Sequence, residues 1–262
     1  MNIFQRLRLQ ATRYILRGKS DIEWVVSMTS HAPRFRFLEE FFATFQQQTL
    51  LPSVLLLWIS KSERHNFLTL KLQLPSYVNV RFCEELGPGA KLIPTLRIFP
   101  NSKIITLDDD VHYPNDLIEN IILYANSHPK RIIAGRVHRI TKDYRGNTKN
   151  YEEWDFDFEG HESLAQNLFP TGVGAVLYPP KSLHPDVLNV REYRKTALFQ
   201  DDVWFYAQAS RAGTEIWRIP GTREIRYLSE SQEMGLYETV NKFGENNSAI
   251  ARMRDLYKDL EL

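Results

Sequence analysis

The chain reads as an α/β protein with a mostly parallel central sheet flanked by helices. Two observations point there. Short apolar runs alternate with helix-period segments up to about residue 140, the pattern of strand–helix–strand units. One of those runs, Ile104, Ile105 and Leu107, stops abruptly at Asp108-Asp109-Asp110, and open α/β sheets bind ligands at the carboxyl ends of their strands. At 262 residues the chain suits one domain, residues 22–262, preceded by a basic amphipathic segment, residues 1–21.

The elements follow in order. Trp24 to Met28 is a short apolar strand. Phe35, Leu38, Phe41, Phe42 and Phe45 recur at helical spacing, predicting a helix over 34–48 that Leu51-Pro52 ends. Val54 to Ile59 is a continuous apolar run, as in a strand buried on both faces. Leu68 to Leu74 is ambiguous, and Tyr77 to Phe82 reads as a third strand. Gly87-Pro88-Gly89 is a turn, and a helix within Lys91 to Phe99 would carry Pro94 in its first turns. Residues 103–107 form a fourth strand. Asn115 or Asp116 would cap a helix running to about Asn126, and Ile132 to Val137 reads as a fifth strand. Residues 141–168 are polar and aromatic, an excursion over the ligand face. Gly172 to Tyr178 returns as a strand, residues 201–212 as a helix, Glu215 to Ile219 as a strand and Ser248 to Leu260 as a terminal helix.

Bulk properties narrow the function classes. Lys and Arg number 33 against 32 Asp and Glu, a balance that argues against a nucleic-acid binder. The single cysteine, Cys83, forbids an internal disulfide and suits a reducing, cytoplasmic location. No apolar run approaches the ~20 residues that span a bilayer, and the N-terminus lacks a signal-peptide core. Arg6, Arg8, Arg13, Arg17 and Lys19 precede the first acid, with Phe4, Leu7, Ala11, Tyr14 and Ile15 at helical spacing. Such a helix over residues 1–20 can lie peripherally on the inner face of a cell membrane, or dock on the domain.

Four stretches carry chemistry. Side chains alternate along a strand, so Asp108 and Asp110 share a side if strand geometry persists past Leu107. Their hard oxygens suit Mg²⁺ or Mn²⁺, which also holds phosphate oxygens; a solvated acidic turn is the plainer reading of the triplet taken alone. Thr29, Ser30, His31 and Arg34 follow the first strand, where hydroxyls, an imidazole and a guanidinium can hold a nucleoside and its phosphates or cap a helix. Lys91 closes the Gly-Pro-Gly-Ala-Lys turn, where it could neutralise a diphosphate. Asp201 and Asp202 open a helix: one can cap it while the other faces the cleft as a general base.

The order of these blocks is familiar. Ser-Met-Thr-Ser after the first strand is followed by Gly-Pro-Gly-Ala-Lys-Leu-Ile-Pro, Leu-Asp-Asp-Asp-Val-His-Tyr-Pro, Pro-Thr-Gly-Val-Gly-Ala-Val-Leu-Tyr-Pro-Pro and Gln-Asp-Asp-Val-Trp. Over residues 22–250 this resembles bacterial glycosyltransferases of the GT-A fold, family-2-like, of the type that builds capsule and lipopolysaccharide. The resemblance implies a single Rossmann-like domain that moves a sugar from a nucleotide-sugar donor, by default a UDP-sugar, to a hydroxyl of a cell-surface glycan or lipid-linked acceptor. It implies a divalent ion held by Asp108 and Asp110, with Asp108 also near the ribose and Asp109 beside the donor. It implies an acceptor-activating base at Asp202, with Asp201 next, and inversion at the anomeric carbon. Thr171, Gly172 and Gly174 match the stretch beneath donor sugar and acceptor, and Trp154 is the expected aromatic partner of an acceptor sugar. One departure is that no histidine follows the acidic pair to serve as a further metal ligand; Asn246 or Asn247 could take that place. The competing classes are an Asp-x-Asp phosphatase, which wants Gly and Thr where Val111-His112-Tyr113 stand, a non-catalytic glycan or nucleotide-sugar-binding module, and a nucleotidyltransferase, for which no Gly-rich loop is found near the N-terminus. Oligomeric state is left open.

Overall fold

A computed structural model describes residues 22–159, 167–220, 226–228, 244–258, 260 and 262. The basic segment over residues 1–21 lies outside the described residues. Strands β1 (Trp24–Thr29), β2 (Leu55–Ser60), β3 (Val78–Cys83) and β4 (Lys103–Leu107) match the apolar runs of the sequence. With β6 (Ile132–Ala134), β9 (Val176–Tyr178) and β10 (Ile216–Arg218) they make a seven-stranded sheet in the order β10-β6-β9-β4-β1-β2-β3. All neighbouring pairs are parallel except those of β9, which runs antiparallel to both β4 and β6.

Alternation along the strands divides the core in two. Val25, Leu56 and Ile104 face one layer, while Val26, Leu55, Leu57 and Ile105 face the other. The second layer holds α1 (Leu38–Phe45) and α4 (Leu117–Ser127), through Phe41, Phe42, Phe45, Ile118 and Ile121. The first holds α3 (Ile93–Ile98), α6 (Asp201–Arg211) and α7 (Glu245–Leu256). Two short helices, α2 (Arg64–Thr69) and α5 (Val190–Thr196), complete the set among the described residues. Covering both faces is what allows β2 to be apolar from Leu55 to Ile59.

Several sequence expectations need adjusting. The helix predicted from Arg34 starts as a 3-10 turn, Ala32–Phe37, with Pro33 at its head, and becomes α-helical only at Leu38. The strand expected over 132–137 is broken by Gly135-Arg136 into β6 and β7 (Val137–Arg139), and β7 leaves the main sheet to pair with β8 (Leu168–Pro170). A further pair joins β5 (Val111–His112) to β11 (Arg226–Tyr227). Residues 172–174 form a 3-10 turn, with Ala175 at φ +65° before β9 begins.

The antiparallel β9 has a consequence for the mouth of the sheet. Val176 lies opposite Thr106 and Tyr178 opposite Ile104. The amino end of β9 therefore sits beside the carboxyl end of β4, and the Thr171–Gly174 turn arrives next to the aspartate triplet. Among the described residues, no helix is long and apolar enough to cross a membrane.

Candidate active site

A cleft of about 580 Å³ opens at that mouth, within the range of small-ligand sites. Its walls include Thr29, Ser30, His31 and Arg34 after β1, Lys91 from the 3-10 turn before α3, Asp108 to Asp110 after β4, Thr171 before β9, and Asp201 and Asp202 in α6. The donor-side and acidic residues expected from the sequence thus meet in one place.

The triplet does not continue the strand. β4 ends at Leu107, and Asp109 and Asp110 occupy a turn, so strict alternation does not pair Asp108 with Asp110. The three carboxylates divide between two cations instead. Lys91 Nζ lies 2.7 Å from Asp108 Oδ1 and 3.0 Å from Asp201 Oδ2. Arg34 reaches Asp109 Oδ1 at 2.7 Å and Asp110 Oδ2 at 2.8 Å. The Asp108 N–H donates to the Tyr113 hydroxyl at 2.9 Å, which fixes the start of the turn.

Neither acid of α6 caps its own helix; the N-cap position is Gln200, without a side-chain cap. Asp202 accepts the Gly172 N–H on both oxygens, at 3.0 and 3.1 Å. A Cβ at Gly172 would stand 2.5 Å from Lys91 Nζ and 3.1 Å from Asp202 Oδ1, so any side chain there would push the ammonium from its place. Lys91 is positioned from behind by Tyr193 of α5. The Gly89 N–H donates to the Tyr193 hydroxyl at 3.0 Å, and that hydroxyl lies 2.9 Å from the Leu86 and Leu198 carbonyls.

Crowded acids in a partly dry cleft titrate unusually. Burial, with Arg34 opposing and Asp109 and Asp108 adding, pushes Asp110 up to about 7. Burial and the neighbouring Asp201 push Asp202 up to about 7, with Lys91 opposing. Asp201 is raised as well, chiefly by burial. Burial lowers His31, which favours its neutral form at pH 7.

Other expectations land differently. Thr29 donates its hydroxyl to the Trp58 carbonyl at 2.9 Å, so part of its role is to tie β1 to β2. Ser30 Oγ is buried without a hydrogen bond, and neither residue caps the 3-10 turn, whose N-cap is His31. Trp154 is corrected from cleft to core: it is 3% exposed, packs on Tyr151 and Phe169, and donates its indole N–H to the Lys149 carbonyl at 3.1 Å. Gly172 and Gly174 permit close approach of protein groups. A Cβ on Gly174 would stand 2.3 Å from the Arg136 Cβ, and of this turn Thr171 and Val173 line the cleft. Asn247 ties α7 to the excursion through the Tyr151 N–H and Glu152, whereas Asn246 does line the cleft.

Cleft residues that spacing did not single out include Arg136, His138, Tyr151, Phe156, Phe169 and Tyr227. One signal was available. Asn150 and Glu153 form a capping box around the 3-10 turn Tyr151–Glu153, and that Asn-x-x-Glu spacing marks where the excursion turns back. Among the described residues, no group of three or more His, Cys, Asp or Glu side chains is arranged to hold a metal ion.

No family model matches the chain, and no curated protein matches it. Solved structures that are similar at low identity include the following two. A CMP:2-keto-3-deoxy-manno-octonic acid synthetase complexed with CTP shows 8% identity over 84% of this chain and 100% of its own, with a TM-score of 0.45. A 4-diphosphocytidyl-2C-methyl-D-erythritol synthase shows 12% identity over 81% of this chain and 94% of its own, with a TM-score of 0.44.

Proposed function

We propose that the protein is a metal-dependent glycosyltransferase that moves a sugar from a nucleotide-sugar donor, by default a UDP-sugar, to a hydroxyl of a glycan or lipid-linked acceptor with inversion. One observation carries this reading: Asp108 to Asp110 and Asp201-Asp202, far apart in sequence, line one cleft with Lys91 joining the two groups. A cleft so rich in carboxylates suits a substrate that brings a cation with it. Mg²⁺ typically takes only one or two protein carboxylates and fills its shell with water and phosphate oxygens, so Asp108 and Asp110 would hold it by giving up part of their pairing with Lys91 and Arg34. An ion held there would supply charge stabilisation to the leaving diphosphate.

The chain's own groups account for the rest. The Gly172 N–H orients the Asp202 carboxylate. An acid titrating at about 7 is half ionised near neutral pH and suited to take a proton. The acceptor hydroxyl oxygen forms its bond to the anomeric carbon while the bond from that carbon to the diphosphate oxygen breaks. The hydroxyl proton passes to Asp202, and the nucleoside diphosphate leaves with the electron pair. Thr29, Ser30, His31, Arg34 and Asp109 form the donor's wall. A basic segment over residues 1–20 would hold the enzyme against the cytoplasmic face of the membrane, near a lipid-linked acceptor.

The test is a panel of nucleotide sugars with and without Mn²⁺, read first by melting temperature and then by nucleoside diphosphate release. Asp110→Ala should abolish the metal-dependent shift. Asp202→Asn should keep it while turnover falls by roughly 10²–10⁴-fold. Full activity in Asp202→Asn would remove the base assignment. Release of pyrophosphate from CTP or UTP in place of sugar transfer would replace the reading with nucleotidyl transfer.

A further inference from the structure

One wall of the cleft is aromatic, and the acid chemistry does not use it. β7 supplies His138, the excursion supplies Tyr151 and Phe156, and β8 supplies Phe169. The His138 ring lies 4.3 Å from that of Phe156, and Tyr151 meets Phe156 edge-on at 5.4 Å. Phe169, Trp154 and His138 are buried, yet Phe156 is 43% exposed. A rigid backing therefore holds one large apolar ring open to the cleft.

The surroundings of that ring are polar and fixed. His138 Nδ1 accepts the Asp157 N–H at 3.1 Å, which places the proton of the neutral ring on Nε2. Burial and the nearby Arg136 charge hold this imidazole down to about 4, so it stays neutral. Arg136 pairs with Asp157 and donates to Thr171 Oγ1 at 3.3 Å. The cleft that Phe156 lines thus also holds a hydroxyl, from Thr171, and a guanidinium, from Arg136. A pyranose has matching chemistry: C–H groups on one face for stacking, hydroxyls around the rim for hydrogen bonds. The wall's position favours the acceptor over the nucleotide. β7 and β8 stand outside the main sheet, whereas Thr29 to Arg34 and Lys91 belong to the β1 to β3 half.

We infer that Phe156, backed by His138 and Tyr151, is the stacking platform of the acceptor subsite, and that the acceptor presents a pyranose ring to it. The word acceptor rests on the proposed transfer reaction; the affinity of the platform for a sugar ring does not.

Saturation-transfer NMR on the full chain tests this without nucleotide or metal. The probes are the methyl glycosides of glucose, galactose, mannose and N-acetylglucosamine. At least one should receive saturation from the protein. Phe156→Ala should lose that signal and Phe156→Trp should restore it. In transfer assays Phe156→Ala should raise the acceptor KM by roughly tenfold while the donor KM stays put. The inference is overturned if no glycoside binds, if Phe156→Ala binds it unchanged, or if uridine competes for the same signal. A glycoside signal that depends on Phe156 in a protein with no transferase activity would sink the proposed reaction and leave the platform standing. A working transferase indifferent to Phe156 would do the reverse.

Discussion

Lys91 and Arg34 each hold two carboxylates at similar distances, but they do different jobs. The Lys91 side chain is 4% exposed and joins Asp108, after β4, to Asp201, in α6. Arg34 is 11% exposed and grips Asp109 and Asp110, neighbours in one turn. Lys91 therefore assembles the cleft from two distant segments, whereas Arg34 shapes a single loop. Burial alone would strip the proton from Lys91; Asp108, Asp201 and Asp202 outweigh it and hold the amine charged, well above its ordinary value. The lesson is that equal geometry does not mean equal energetic weight, because a cation sealed inside has no water to replace a lost partner.

Replacement of each cation by an apolar side chain should expose the difference. Lys91→Met removes the buried cation that joins Asp108 to Asp201 and should cost about 3–5 kcal/mol in urea unfolding. Arg34→Met leaves Asp109 and Asp110 buried without their cation, but both belong to one turn that can shift as a unit, and the cost should be smaller, about 1–3 kcal/mol. Equal losses would erase the distinction between the two cations. A second route to Lys91 is through its neighbours. Gly89→Ala would put a Cβ 2.3 Å from the Tyr193 hydroxyl, displacing the residue that pins the turn. The cost should be about 1–3 kcal/mol by thermal unfolding, with a weaker donor-induced shift in melting temperature. An unchanged shift would mean that Lys91 keeps its place without Tyr193.

The same comparison explains what could be read from the chain. β1, β2, β3 and β4 are five or six residues long and largely apolar, so their hydrophobic runs announce them. The aspartate triplet is legible because charge interrupts such a run. The partnership of Lys91 with Asp201 is not, since it is made by packing α6 against the sheet and leaves no spacing to count. The two- and three-residue strands β5, β7, β8 and β11 are too short for any period. Trp154 and Phe156 show the limit most plainly. Both are large aromatics of the excursion, and only the chain's turn at Asn150–Glu153 decides that the indole goes inside and the phenyl ring lines the cleft.

The smallest expected effect is on pH dependence, and it has one reporter beside each cation. Asp202, on the Lys91 side, and Asp110, on the Arg34 side, both titrate at about 7 against an ordinary 3.8. An acid with a raised value in the folded state binds its proton more tightly there than in the unfolded chain. Its stabilising contribution is fully present below about 3.8 and is lost as the pH rises through about 7. Melting temperature measured without added metal should therefore carry a component that falls between about pH 4 and pH 7. Asp202→Asn and Asp110→Asn should each flatten part of that fall, read as the difference between wild type and variant. Added Mn²⁺ should flatten the Asp110 part more than the Asp202 part, because a bound cation favours the charged carboxylate that holds it. A fall that Mn²⁺ and Asp110→Asn leave untouched would place the cation elsewhere in the cleft, and the Arg34 turn would then be a structural clamp alone.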